Sequence, residues 1–581
     1  MKKMKDCWCS RVRFVVVLSL LMCVATVRPD EIDFLDSLGG GYGFAELQDD
    51  VFPSGDDGIV NLPSFRDLPK PEEVVPFLCD PDGLNGCSLI EEDFYLRTNT
   101  INKRELVDLP VFEPVSCCYQ EDHIFSVHLF INRMFRSELT KRSDALGCYL
   151  ALCQDTLLEK IRELQKFLGT VGDFESIIEL DPDKIFALFR NMTVQEHRAG
   201  FMFHYHRIWP AFEFRFLIPL YYDERHYWMS KKEQDCAERE LANAFAVCGV
   251  QQTTKKQQEQ FQDRYLISDK FGIGDLRIEF DGPISCLNLF AMNIGAMLTI
   301  PTAVAFKKGL KGSYFKRSCC QPRISLLEFA GILESKDSEE EKQQEATDML
   351  EPFALGALER LSSILLETGL GNGGHFGIGP MVRFRTDIGD LAQRCRPLAK
   401  YSERLSRLVW KSRMSLEYLM PRNKKRCFVR CDNKQAFEER DFQSTDPVVA
   451  ADNLLFLEEE LVNKFYPVCY TVKVSPGLLF RSTNKLCYDG TCWDAYVGTD
   501  TWLRLRDKIS EIQAPSEIRC KLDQERAKPF VAYQSKLFGG VVYHLERPKR
   551  DWYFSLNLDV TTFKRGMGRD GTLTVCVETN Y

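Results

Sequence analysis

The closing stretch, Asp551 to Tyr581, constrains the fold more than any other. Trp552, Phe554, Leu556, Leu558 and Val560 fall on one side of an extended chain, and Tyr553, Ser555, Asn557, Asp559 and Thr561 on the other. After a polar break, Lys564-Arg565-Gly566-Met567-Gly568-Arg569-Asp570-Gly571, the alternation resumes. Leu573, Val575, Val577, Thr579 and Tyr581 then oppose Thr574, Cys576, Glu578 and Asn580. Strict period-two alternation marks strands with one apolar and one wet face. Tilted strands of about ten residues are long enough to cross a bilayer in a closed barrel. The expectation is an all-β fold, an antiparallel transmembrane β-barrel closed by this hairpin. The same pattern suits a surface hairpin on a soluble β-sandwich, so the remaining chain has to decide.

At the other end, Lys2, Lys3, Lys5, Arg11 and Arg13 precede an apolar run from Phe14 to Val24, then Ala25 and the polar Arg28-Pro29-Asp30-Glu31. That order reads as a secretory signal peptide over residues 1–25, the alternative being an uncleaved anchor. No later segment offers about eighteen uninterrupted apolar residues, so no helical span follows. A barrel hides its membrane band in alternation, which suits a mean hydropathy of −0.24. Residues 26–118 are acidic and rich in Gly, Pro and Asp, an irregular region that could plug a lumen or lie in the periplasm. Residues 119–581 are read as the barrel.

Within it, Phe125, Val127, Leu129 and Ile131 alternate with Ser126, His128 and Asn132. Ala199–Trp209 and Ala211–Tyr222 form a strand pair around Pro210, with Phe212, Phe214 and Phe216 against Glu213 and Arg215. Trp209, Tyr221, Tyr222, Tyr227 and Trp228 suggest an aromatic girdle at the membrane edge. Further strands are expected over Leu276–Phe280, Ala291–Phe306, Phe376–Thr386, Arg413–Met420, Tyr470–Ser482, Cys492–Arg506 and Phe530–Leu545. The total is about ten to fourteen. Helical inserts are expected near 155–168, 230–262, 339–365 and 452–465, in long loops.

Charged residues at the polar phase would cost about 2–4 kcal/mol each facing lipid, so they belong inside. The lumen-lining candidates are Glu213, Arg215, Arg277, Glu279, Arg383, Arg385, Lys473, Arg504 and Asp559. A mixed-sign lumen would filter small polar solutes by size and charge; alternatively the charges fill a closed interior. His204 and His206, with His197 and His226 nearby, invite a metal reading, but no ligand set of recognisable spacing accompanies them. Lumen-facing histidine is the preferred account. Neither Gly272-Ile273-Gly274 nor the Gly369–Gly374 cluster matches a phosphate loop, and no Gly-x-Ser-x-Gly elbow occurs. Neither catalytic residues, nor a cofactor, nor a metal site are expected. A net charge of −9 argues against nucleic acid as a partner. Of 22 cysteines, three precede residue 26, and the odd remainder of 19 implies some disulfides and at least one thiol outside them.

Three stretches carry a resemblance. Phe271-Gly272-Ile273-Gly274-Asp275-Leu276 is similar to the strand starts of transporter-like outer-membrane barrels, and Gly374-His375-Phe376-Gly377-Ile378-Gly379 looks like another. The end, with Leu573, Val575, Val577 and Tyr581 in one phase, resembles the terminal assembly signal of bacterial outer-membrane proteins, which more often ends in Phe. From Cys118 to Tyr581 the chain resembles porin or transporter-like barrels of Gram-negative bacteria, in the Cys-rich style of intracellular species. The resemblance implies a bacterial outer-membrane location, a channel for small polar solutes, and outer-membrane lipid and the barrel assembly machinery as partners. Self-association into a homo-oligomer stays open. The alternatives are an adhesin-like or structural envelope barrel without transport, and a soluble secreted β-rich binding protein.

Overall fold

The structure, a computed structural model, describes residues 104–113, 123–134, 193–228, 267–284, 291–310, most of 369–428, 440–441, 446–465, 468–520 and most of 521–580, with parts of 325–366. The helical inserts expected near 155–168 and 230–262, residues 1–103 and Tyr581 lie outside the described residues. The strands are β1 His123–Met134, β2 Thr193–Ile208, β3 Glu213–Trp228, β4 Ile267–Ile273, β5 Leu276–Ile284 and β6 Ala291–Ile300. They continue as β7 Val304–Lys308, β8 Gly377–Asp387, β9 Leu408–Leu419, β10 Arg422–Phe428, β11 Val468–Ser475 and β12 Leu479–Tyr488. The last are β13 Trp493–Arg504, β14 Lys508–Ser510, β15 Ala532–Leu545, β16 Trp552–Arg565 and β17 Asp570–Asn580.

Twelve of these close into an antiparallel ring, β1-β2-β3-β5-β6-β8-β9-β12-β13-β15-β16-β17, with β17 paired back to β1. Closure leaves no unpaired strand edge, which is what a sheet needs in hydrocarbon. The alternation then sorts the side chains. Leu129 and Ile131 of β1, Leu556 and Leu558 of β16, and Leu573 and Val575 of β17 are exposed. So are Phe201, Phe280, Ile294, Ile378, Leu416, Leu486, Val497 and Leu537 around the rest of the ring. Their neighbours at the opposite phase, Ser126, His128, Asn132, Asn557, Asp559, Thr572 and Thr574, are buried in the interior. A continuous outer belt of large apolar side chains around a polar interior is the inverse of a soluble domain. The fold is a transmembrane β-barrel.

Connections 209–212, 489–492 and 546–551 are short and lie at one end, with the start of β1 and the end of β17. At the opposite end lie Met134 and Thr193, Trp228 and Ile267, Lys308 and Gly377, and Leu419 and Leu479, the strand ends that bound the long connections. Each end has an exception: 388–407, which carries a helix Ile388–Arg394, and the tight 566–569. The helix expected at 452–465 runs Pro447–Phe465.

Three expectations are corrected. Tyr470–Ser482 is two strands, β11 and β12, separated at 476–478 around Pro476-Gly477. β11 leaves the barrel to form a second sheet with β10 and β14, over a core of Phe428, Val472, Val474, Ile512, Ala514 and Leu522. Ala291–Phe306 is broken at 301–303, opposite a break at 274–275 between β4 and β5. Asp275 fills that gap: its carboxylate accepts the Asn372 amide at 2.7 Å and the Ala303 amide at 3.2 Å. Gly371, at φ +123°, passes so close that a Cβ would meet this carboxylate at 2.6 Å, so the glycine cluster serves a close backbone approach. Finally, Tyr221, expected in a girdle, is 1% exposed and points inward, because β3 extends to Trp228, seven residues further.

One disulfide, Cys427–Cys469, joins directly paired residues of β10 and β11; Cys492 and Cys520 are exposed thiols. Closing a loop of 42 residues is worth about 4 kcal/mol in the chain-entropy account. Cys427→Ser with Cys469→Ser is expected to sensitise the second sheet to protease and leave heat-modifiable migration of the barrel in detergent unchanged. Val575→Arg, on the outer belt, is expected to destabilise the barrel in bilayers by about 2–4 kcal/mol. Denaturant unfolding in vesicles reads that cost, and an unchanged midpoint would place Val575 outside the lipid.

Candidate functional site: a charged lumen and an inserted segment

Inside a twelve-stranded barrel a buried charge has to be met by another charge or by a hydrogen bond. The wall supplies both, and so does a stretch of chain that threads the lumen before β1 begins. Residues 104–113 make two 3-10 turns, Leu106–Asp108 and Pro110–Phe112. Leu106, Val107, Leu109, Val111 and Phe112 pack against the inward-facing Phe130, Met202, Leu217 and Tyr221 of β1–β3. Those four are apolar at phases that are polar elsewhere on the ring. Phe112 meets Phe130 and His128 edge-on, at centroid distances of 5.3 and 5.6 Å.

Polar groups fix the insert around this apolar island. The Arg104 guanidinium pairs with Asp500, donates to Gln534 Oε1 at 3.2 Å and donates to the Asp108 carbonyl. Its own carbonyl accepts from Arg198 at 2.8 Å. Asp108 pairs with Arg277, whose other nitrogen reaches Glu417 at 2.8 Å. Glu113 accepts from Arg413 at 2.9 Å and Arg481 at 3.1 Å. Burial by itself would raise the pKa of both carboxyls. For Glu113 the neighbouring Arg413, Arg481 and Lys485 outweigh it and hold the group at about 2. Arg277, Arg481 and Arg104 hold Asp108 below its ordinary value.

The pairing continues along the wall. Arg413 and Arg383 both reach Glu279, the latter at 2.5 Å, and Arg383 also pairs with Asp281. Glu213 receives Arg215 at 2.8 Å and His206 at 3.2 Å. On the other side Lys536 lies between Asp559 at 2.8 Å and Asp570 at 2.9 Å, all three essentially dry. Below the insert, toward the short-turn end, a cavity of about 310 Å³ remains, lined among others by Glu113, Glu213, Arg383, Lys411 and Lys485.

Of the nine lumen candidates, Glu213, Arg215, Arg383 and Arg385 line this cavity. Arg277, Glu279 and Asp559 are inside but consumed in buried pairs. Two are corrected. Lys473 lies on β11 in the second sheet, exposed and paired with Glu511 at 2.5 Å; its alternation is that of another sheet. Arg504 ends β13 at the long-loop rim, held by Asp507 at 3.1 Å, which also takes Arg426 of the second sheet. Leu573, Val575 and Val577 are on the outer belt. His204 and His206 face the lumen, whereas His197 and His226 sit at the opposite phase, with rings 4.9 Å apart. Among the described residues no group of three or more side chains is placed to hold a metal. Sequence reasoning missed the insert and its anchors Arg104, Asp108, Glu113, Arg481 and Asp500. The available signal was the short apolar run Leu106–Phe112 in an otherwise acidic, proline-rich region.

No protein-family model and no curated protein matches the sequence. Among solved structures, an outer-membrane channel from Pseudomonas putida F1 is similar at 6% identity and TM-score 0.34, covering 80% of this chain and 97% of that one. The Ralstonia pickettii toluene transporter is similar at 8% identity and TM-score 0.28, covering 80% and 90%. The translocator domain of a Neisseria meningitidis autotransporter stands at 5% and 0.26, with the same coverage.

The two insert carboxyls give a signed pH dependence. Their pKa values are lowered on docking, so the stabilisation they supply is present above the ordinary carboxyl value of about 4.3 and lost as pH falls toward 2. Hydrogen exchange, corrected for intrinsic rate, is expected to show residues 105–113 protected from neutrality to about pH 4.5 and progressively released below it. Protection unchanged down to pH 2 would mean that apolar packing alone holds the insert.

Proposed function

We propose that this protein is an outer-membrane channel for small polar solutes whose lumen is closed, in the state described above, by the Arg104–Glu113 insert. The observation that carries the reading is the division of labour inside the barrel. The wall bears a mixed-sign charged surface, and the element that blocks it is a short segment held by side-chain contacts rather than a strand of the ring. Removing a plug of this kind leaves the backbone ladder of the barrel intact. A fixed transverse field between Glu279, Asp281 and Glu213 on one hand and Arg383, Arg413 and Arg481 on the other would then act on polar solutes at close range. The outer belt supplies the lipid contact, and Leu573, Val575 and Val577 supply the phase that barrel assembly machinery would read.

One observation favours a second reading, a closed structural barrel: the Lys536–Asp559–Asp570 cluster and the insert together leave the described lumen largely filled. Planar-bilayer recording separates the two. The full chain is expected to show low or intermittent conductance. Arg104→Ala combined with Asp108→Ala, which strips two anchors of the insert and leaves the ring untouched, is expected to raise it several-fold. Breaking one side of a buried pair costs about 3–5 kcal/mol, enough to shift a docking equilibrium. If the double variant migrates as a folded, heat-modifiable barrel and still passes no current, the channel reading fails and the structural one stands.

A further inference from the structure

The connection between β8 and β9 departs from the tight links 209–212, 489–492 and 546–551 at the same end of the barrel. It carries the helix Ile388–Arg394 and two single helical turns, Ala399–Tyr401 and Ser402–Leu405. Its two arms pack closely, since a Cβ at Gly389 would meet the Ser406 Cα at 2.6 Å. The helix also packs against the ends of both strands. Thr386 of β8, at the outward phase, is only 2% exposed, and its register partner Trp410 of β9 is half-buried. Further along the same strands Ile378, Leu416 and Tyr418, also outward, are exposed. The connection therefore folds over the outside of the wall, at the level where the apolar belt ends.

The charges of this platform are sorted along it. Asp387 and Asp390 stand at the start of the helix, where its dipole favours anions. Arg394, Lys400, Arg404 and Arg407 follow, all exposed, with Glu403 as the acid among them. Among the described residues none of these four cations makes an ion pair. Lys400 lies over the Tyr401 ring at 4.9 Å, and Arg407 donates to the Tyr488 hydroxyl at 3.3 Å. Neither contact neutralises the charge. Aromatic side chains continue the same edge on successive strands of the ring: Tyr488 of β12, Trp493 of β13 and Tyr543 of β15 are exposed on the outer face. The Trp493 and Tyr543 rings lie 4.7 Å apart. Outward Tyr and Trp at strand ends mark the boundary between membrane and water. At the short-turn end of an outer-membrane barrel that boundary faces the periplasm.

We propose that the 388–407 platform binds the headgroup of an anionic phospholipid in the leaflet at the short-turn end. The acyl chains of that lipid run onto the apolar belt beside it, so the site continues a lipid contact that the barrel already makes. Guanidinium and ammonium groups supply the forked and point-charge donors that a phosphodiester takes. Lysines and arginines standing at a membrane surface each add to the attraction for anionic lipid. The assignment concerns the outer face and holds whether or not the barrel conducts.

The test uses the full chain in detergent micelles doped with phosphatidylglycerol or, at equal mole fraction, phosphatidylcholine, with bound lipid counted by native mass spectrometry. Phosphatidylglycerol is expected to be retained about tenfold over phosphatidylcholine. The triple variant Arg394→Gln, Lys400→Gln, Arg404→Gln is expected to lose that preference while migrating as a folded, heat-modifiable barrel. Should it fail to fold, Arg404→Gln alone takes its place, with an expected loss of about threefold. Equal retention of the two lipids, or an unchanged preference in a folded variant, overturns the site. Displacement of the lipid by glycerol 3-phosphate at the same concentration also overturns it, because the site would then be one for a free phosphate.

Discussion

Everything inside this barrel follows from the pairing of charges that have no water to retreat to. A ring of twelve strands encloses more room than its own side chains fill, enough for the insert and a cavity, and the alternation that gives lipid its apolar belt forces every second residue into that room. Arg277, Glu279, Arg413, Glu417, Arg481 and Asp500 are then obligatory neighbours, each buried and each met by a partner from another strand. Breaking one such contact strands a charge, which costs more than the contact is worth. The insert exploits this. Asp108 and Glu113 complete the coordination of arginines that the wall satisfies only in part, while Leu106–Phe112 covers the few apolar positions that the wall turns inward.

This arrangement also explains how far the sequence could be read. Alternation at β1, β2, β3, β16 and β17 is local, so the strands, their outward faces and the closing hairpin were legible from residues such as Leu129, Phe214 and Leu556. The inward phase was legible for the same reason, which is why Arg277, Glu279, Arg383 and Asp559 are where alternation puts them. Lys473 was misplaced because period two states only which residues share a face; it does not state which sheet owns the strand. The turn at Pro476-Gly477, between β11 and β12, was the overlooked sign. Tyr221 was misplaced because the membrane edge was taken from aromatic clustering, whereas β3 runs on past it to Trp228.

The insert was illegible for a deeper reason. Arg104 bonds Asp500 and Gln534 across sequence separations of 396 and 430, and Glu113 bonds Arg413 and Arg481 across 300 and 368. Contacts of that range leave no periodic trace in a short segment. Their trace is on the wall, where Phe130, Met202 and Leu217 are apolar at wet phases. An apolar residue at the wrong phase of a barrel strand is evidence for something packed inside.

The placement of the insert gives the two halves of the lumen different characters. Its apolar side and its anchors at Arg277 and Asp500 lie toward the long-loop end, where β3 carries Tyr221 and the break between β4 and β5 carries Asp275. Glu113 is its last described residue and reaches down to Arg413, the boundary of the cationic level at Arg385, Lys411 and Lys485. A single carboxylate thus joins the plug to the cavity. The arginine that helps hold the insert in place belongs to the same lining as these three cations, so the electrostatics of the two regions cannot be set independently.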